Sequence, residues 1–149
     1  MPERGSDGAD AGGKETSGVT RRELSQLYWL KKEIARNKAR LAELEAASSA
    51  ASVQLTWTPG GGGASDRVGM YAAEIADLQS IIDANIRRCW RELRRLSRYI
   101  STVEDSQMRQ ILTLRYIECL TWNQVADAIG GGNTEDSVRK AHDRYLLKK

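Results

Sequence analysis

Apolar residues recur every three to four positions over most of the chain, a spacing that places them on one face of an α-helix. The first long stretch begins near Thr20, and its apolar seam repeats every seven residues at Leu27, Ile34 and Leu41, with Leu30, Asn37 and Leu44. A second stretch, from about residue 66 to residue 103, repeats in the same way at Ile75, Ile82, Cys89, Leu96 and Val103, with Leu78, Asn85 and Tyr99. The pattern predicts two long helices that pair through heptad seams, the first of them opened by a Thr20–Glu23 capping box.

These two seams can close on each other or on a second chain. Residues 20–103 therefore form a helical hairpin or a coiled coil, and in the second case the partner is another copy of the chain, a homodimer. Pro59 and the glycines beside it cannot lie in a helix interior, so we expect a Gly-rich connector over residues 48–66, with "VQLTW" as a short extended piece. Asn37 and Asn85 either fix the register of the paired helices or lie where the pairing is frayed and wet.

Three shorter amphipathic helices are predicted over residues 104–149. The first carries apolar residues from Met108 to Ile117, the second follows an N-cap at Thr121, and the third begins near Thr134 after three consecutive glycines. The third helix is expected to turn Val138, Ala141 and Tyr145 inward and Ser137, Arg139, Lys140, Asp143 and Arg144 outward. The order of elements is that of a helix-turn-helix: a short helix, a glycine turn and a second helix with an outward Arg-Lys pair. The second helix of such a motif enters the major groove of DNA.

Composition supports an all-α fold and a disordered start. The chain of 149 residues has no Phe and two prolines, and residues 1–19 are mainly small and polar, so we expect a disordered tail there. A net charge of +3 does not indicate a particular class of partner, but the charged residues are unevenly distributed along the chain. The run "RRCWRELRRLSR" contains six arginines and a single acid, and four of them fall on one helical face: Arg87, Arg91, Arg94 and Arg98. That face is either solvated or follows a phosphate backbone.

Several classes of function have no support in the residues. No apolar run is long enough to span a bilayer and the N-terminus lacks the apolar segment of a secretory signal, so we expect a cytoplasmic protein without a membrane partner. Cys89 and Cys119 lack metal-binding spacing and are expected to be buried free thiols. His142, the single histidine, has no partner at triad or metal spacing and is expected at a groove-facing or boundary position. We therefore predict no enzyme, no cofactor and no metal site.

The segments "ILTLRYIECLTWNQVADAIG" and "DSVRKAHDRYLLKK" resemble region 4 of the sigma-70 class of transcription factors. They are more similar still to small phage-associated regulators that carry such a helix-turn-helix behind an N-terminal coiled coil. The resemblance covers about residues 104–149 and implies binding of double-stranded promoter DNA, together with RNA polymerase, to control phage or mobile-element genes. It places three residues near phosphates, Thr121, Asn123 and Gln124, and Arg144 on the backbone. It places five residues against the bases: Glu135, Asp136, Ser137, Arg139 and Lys140.

No counterpart of the promoter-melting region of a full sigma factor is visible, so an accessory activator or repressor is expected. The sequence thus predicts a sequence-specific DNA-binding transcriptional regulator. Two other functions remain open: a phage terminase small subunit, which also combines helix-turn-helix elements with an oligomerising coiled coil, and a structural coiled-coil adaptor whose C-terminal helices only cap the bundle.

Overall fold

The computed structural model describes residues 19–57 and 62–148, and over both ranges the chain is helical and contains no strand. Its helices are α1 (Arg21–Leu24), α2 (Gln26–Trp57), α3 (Gly62–Ser101), α4 (Ser106–Leu112), α5 (Trp122–Ile129) and α6 (Glu135–Leu147). A π-helical turn, Thr113–Ile117, continues α4. The prediction of an all-α protein is confirmed. None of these helices combines the length and the apolar character that crossing a bilayer requires.

The described chain starts at the predicted capping box. The Thr20 hydroxyl accepts a hydrogen bond from the Glu23 N–H at 3.2 Å, and the Glu23 carboxylate accepts one from the Thr20 N–H at 2.7 Å. The Thr20 N–H, and the Thr20 hydroxyl that donates to the same carboxylate at 2.9 Å, favour its charged form and lower the pKa of Glu23. Of the tail predicted over residues 1–19, residues 1–18 lie outside the described residues, and Val19 packs half-buried against the core.

Helices α2 and α3 form an antiparallel hairpin within one chain. Two cross-links show the direction: Asn85 Nδ2 donates to Glu33 Oε1 at 3.0 Å, and Arg95 Nη2 donates to the Glu23 carbonyl at 2.8 Å. Higher numbers on α3 therefore face lower numbers on α1 and α2. Four aliphatic seam residues within α2 and α3 are buried (Leu27, Leu44, Ile82 and Leu96), and the other aliphatic seam positions of these two helices are half-buried.

Asn85 lies buried in the middle of this interface. The Asn85 amide meets its acceptor on the facing helix in one register only. If the helices slipped, this buried amide would lose its hydrogen bond. Of the two roles predicted for Asn85, the Glu33 contact therefore favours the one that fixes the register of the helices. Asn37, in the facing helix, is half-buried.

The structure corrects the predicted connector. Helix α2 continues past Ala47 to Trp57 and takes in "VQLTW", which is helical and not extended, while α3 already begins at Gly62. Residues 48–57 contain neither Gly nor Pro, so nothing in that segment stops the helix. The buried Ala51 adds packing to the extension. Residues 58–61, which hold Pro59 and part of the glycine run, lie outside the described residues.

The base of the hairpin and the C-terminal helices share one hydrophobic core. It combines residues of both parts: Leu24, Leu27, Leu96, Ile100, Val103, Met108, Ile111, Leu112, Tyr116, Val125, Ala126 and Val138. The Lys31 ammonium adds a polar link by donating to the Ile117 carbonyl at 2.9 Å. Because the core is continuous across the predicted boundary at residues 103 and 104, the hairpin sets the position of α5 and α6.

Candidate nucleic-acid interface

Helices α5 and α6 are joined by the turn that the triple glycine predicted. Gly130, Gly131 and Gly132 all have positive φ values, of 68°, 64° and 76°. That region is open to glycine at no steric cost and unfavourable for other L-residues, which explains three glycines in succession. Asn133 closes the turn, since its side-chain amide donates to the Gly130 carbonyl at 2.8 Å and its N–H to the same oxygen at 3.2 Å. The turn thus holds α6 at a fixed angle to α5.

Both helices of the motif begin with reciprocal caps. The Thr121 hydroxyl accepts from the Gln124 N–H at 3.3 Å, and the Gln124 side chain accepts from the Thr121 N–H at 2.9 Å. Thr134 and Ser137 exchange the equivalent pair of bonds at the start of α6. Thr121, Gln124 and Ser137 were predicted to contact DNA, and although all three are exposed, their side chains already serve the helix starts.

Six of the predicted DNA-contacting residues lie exposed on α6, and four of them are paired with each other. The Lys140 ammonium lies 2.7 Å from an Asp136 oxygen, and the Arg139 guanidinium lies 3.4 Å from Asp136 and 3.9 Å from Glu135. The hydrogen bond from Lys140 is the main cause of the lowered pKa of Asp136. Arg144 is exposed one turn further along α6, and Asn123 is exposed on α5. The front of α6 therefore presents cations and carboxylates together, and not a purely positive surface.

A small cleft between α1 and the motif contains two arginines that the sequence did not indicate. Arg21 and Arg115 line it together with the predicted Arg139, beside Trp122 and Asp143. The Arg115 guanidinium lies 4.6 Å from the centre of the Trp122 ring and donates to the Leu120 carbonyl at 2.7 Å. Since Arg21 lies more than ninety positions before Arg115 in the chain, no local pattern could have joined them.

His142 is buried, which corrects its predicted groove-facing or boundary position. Its Nε2 lies 2.6 Å from the Tyr116 hydroxyl and its Nδ1 lies 2.9 Å from an Asp143 carboxylate oxygen, which also accepts from Arg21. The Tyr116 hydroxyl can donate to Nε2 while Nδ1–H donates to Asp143, so one neutral tautomer satisfies every partner. Burial lowers the pKa of His142, although the hydrogen bond to Asp143 opposes that shift.

Asp143 is therefore not an outward residue, as predicted, but half-buried between α6 and α1. The prediction from helical spacing placed it outward because it had no information on α1, whose Arg21 covers that side of α6. The Trp122 ring packs edge-on against the His142 ring at 4.8 Å between centroids. This buried chain of side chains joins α1, the π-helical turn and α6.

The remaining chemistry of the described residues offers no metal centre. Within residues 19–57 and 62–148, no group of three or more His, Cys, Asp or Glu side chains could hold a metal ion. Cys89 and Cys119 are free thiols, as predicted, but half-buried and not fully buried. Burial raises the pKa of the Cys89 thiol. Tyr116 is also a poor proton donor to solvent, since burial raises its pKa to about 12.

No model of a known protein family matches the chain, and neither does any characterised protein or solved structure.

Proposed function

We propose that the protein is a non-catalytic, cytoplasmic regulator of transcription that binds double-stranded DNA in a sequence-specific manner through the helix-turn-helix of α5 and α6. The observation that supports this most is the placement of α6. It follows a glycine turn that Asn133 closes, packs its inner face through Val138 and His142, and leaves Arg139, Lys140 and Arg144 exposed. A helix presented in this way can enter the major groove with its first two turns. The sigma-like resemblance supports phage or mobile-element genes as targets and RNA polymerase as a second partner.

The ion pairs on α6 are compatible with this proposal. Pairs between exposed side chains contribute little to stability because water screens them, so DNA can replace the carboxylate partners at small cost. Arg139 and Lys140 can then donate to guanine O6 and N7, and a good bidentate contact discriminates between bases by roughly 1 to 3 kcal/mol. Glu135 and Asp136 can in turn accept hydrogen bonds from cytosine N4. Carboxylates at the front of a recognition helix therefore favour selectivity over non-specific affinity.

The proposal is tested by letting the full chain select from a pool of random-sequence DNA duplexes. We expect repeated rounds to enrich one sequence motif, and the double variant Arg139→Ala, Lys140→Ala to lose that enrichment. A matched control, Arg36→Ala with Lys38→Ala, removes the same charge from exposed positions on α2 and should enrich the same motif. A bound pool that stays random for the wild-type chain would refute sequence-specific recognition.

A structural adaptor is the second candidate, because the cations expected to read bases are already paired with acids in the free protein. An adaptor predicts no retention of any duplex in the same selection, even at low salt. A terminase small subunit would enrich a motif, but as a ring of many subunits, which sedimentation of the complex distinguishes from a monomer or dimer.

A further inference from the structure

The outer side of α3 carries a row of arginines that neither the core nor the helix-turn-helix uses. We call Arg87, Arg91, Arg94 and Arg98 the arginine face; all four are exposed. They lie at positions i, i+4, i+7 and i+11 of one helix, so they share one side of it. Leu96 and Ile100, on the other side of the same helix, are buried in the core. The guanidinium groups therefore project away from the hairpin interface.

The charges of this face are not neutralised by the rest of the described chain. Within residues 19–57 and 62–148, none of the four arginines has a carboxylate within ion-pair distance. The neighbouring Arg95 shows the contrast, because it is partly buried and binds Glu92 at 2.8 Å. The cations of α6 also differ, since Arg139 and Lys140 are paired with acids. The arginine face is thus a larger unneutralised positive surface than the front of α6.

The dimensions of the face fit a polyanion with closely spaced charges. Eleven helical positions separate Arg87 from Arg98, which corresponds to about 16 Å along the axis. Duplex DNA carries about one phosphate charge per 1.7 Å of its axis, so about ten charges lie along that length. The arginines lie in the C-terminal half of a long helix that is packed against α2, with Arg98 in its last turn, and binding would require no folding of the backbone. Only side-chain freedom would be lost.

We infer that the arginine face binds the phosphate backbone of double-stranded DNA without regard to sequence. The choice of DNA as the partner rests on the function proposed above. Phosphate contacts hold a protein on the duplex and make binding salt-dependent, whereas base contacts specify the sequence. The arginine face then provides affinity and α6 provides selectivity.

The test compares two variants of the full chain that each lose four cations. One is Arg87→Gln, Arg91→Gln, Arg94→Gln and Arg98→Gln. The control removes the same charge from exposed residues elsewhere on the hairpin: Arg36→Gln, Lys38→Gln, Arg40→Gln and Arg67→Gln. Fluorescence anisotropy gives the affinity of each for a random-sequence duplex and for the selected sequence over a series of salt concentrations. Circular dichroism melts check that both variants keep the fold.

The arginine-face variant should lose at least about tenfold in affinity for both duplexes at low salt. The slope of its plot of log affinity against log salt should flatten by about 3.6, which is about 0.9 for each of the four lost phosphate contacts, and its preference for the selected sequence should remain. The control should keep most of the wild-type slope. Equal slopes for wild type and the arginine-face variant would overturn the inference, and so would a loss that the control shares.

The same titrations separate this inference from the proposed function. If the wild type prefers the selected sequence and the arginine-face variant binds like the wild type, the inference fails and the function stands. If the wild type binds every duplex equally but depends on the arginine face, the function fails and the inference stands. The inference is overturned if the wild-type chain binds no duplex at low salt. It is also overturned if the arginine face binds poly-glutamate but does not bind duplex DNA.

Discussion

At the scale of single residues, His142 shows how α6 is held in place. Its two ring nitrogens lie within hydrogen-bond distance of Tyr116, in the π-helical turn, and of Asp143, in α6 itself. The Asp143 carboxylate also accepts a hydrogen bond from Arg21 of α1. Both ring nitrogens of the buried His142 have a partner, as the low dielectric of a core requires. The network therefore ties the orientation of α6 to the hairpin.

This network predicts a loss of stability in mild acid. Burial lowers the pKa of His142 from its usual 6.5 in the folded chain, so the unfolded chain takes up a proton near pH 6.5 and the folded chain only at lower pH. The full contribution is present above pH 6.5, and it decreases as the pH falls between the two pKa values, by at most about 1.4 kcal/mol per pH unit. Urea unfolding at a series of pH values measures the trend.

Since His142 is the only histidine, a nuclear magnetic resonance titration of its ring protons gives the pKa in the folded state directly. The variant His142→Gln, compared over the same pH range, should lack the slope just below pH 6.5. The carboxyls of Glu23 and Asp136, whose pKa values are lowered from 4.5 and 3.8, affect stability only at lower pH. A ring that titrates at or above 6.5 would contradict this account.

At the scale of elements, the turn between α5 and α6 is built from backbone conformations that only glycine adopts easily. Gly130 has φ 68° and ψ −153°, a region almost closed to residues with a Cβ. No atom outside its own neighbourhood lies within 4 Å of a Cβ placed there, so the constraint comes from the backbone alone. The angle of the recognition helix depends on this local conformation.

Substituting Gly130→Ala should destabilise the protein by about 1 to 3 kcal/mol, because alanine is strained at these angles. Gly69→Ala is the matched control: Gly69 lies within α3, a Cβ there also meets nothing within 4 Å, and alanine favours helices, so stability should rise by up to about 1 kcal/mol. Urea midpoints of the two variants measure both effects. Equal urea midpoints for the two variants would show that a side chain at residue 130 does not strain the turn.

At the scale of the whole molecule, the parts predicted from sequence are those that depend on near neighbours. The capping box at Thr20 and the N-cap at Thr121 belong to this group, because residues within three positions determine them. The hairpin seams do so as well. The connector was wrong because Pro59 and its glycines were read as ending the helix too early, whereas the Ala- and Ser-rich segment before them is helical. His142 and Asp143 were misplaced because their partners, Tyr116 and Arg21, approach only in the folded chain.

The charges of the molecule are distributed by the same long-range folding. Sequence patterns indicated both the row of arginines on α3 and the Arg-Lys pair on α6, but not which of them is neutralised. The structure pairs Arg139 and Lys140 with acids and leaves the arginine face without ion pairs among the described residues. Under the proposed function, selectivity and affinity for DNA would belong to different surfaces.

The central claim is that α6 reads DNA sequence, and the most direct measurement is the ratio of affinities for the selected duplex and a random duplex. Arg139→Ala should lower that ratio by roughly five- to 150-fold, since a bidentate contact to guanine contributes about 1 to 3 kcal/mol of discrimination. Arg36→Ala, an exposed arginine on α2, should leave the ratio unchanged. An Arg139→Ala protein that keeps its fold and the wild-type ratio would contradict the assignment of α6 as the recognition helix.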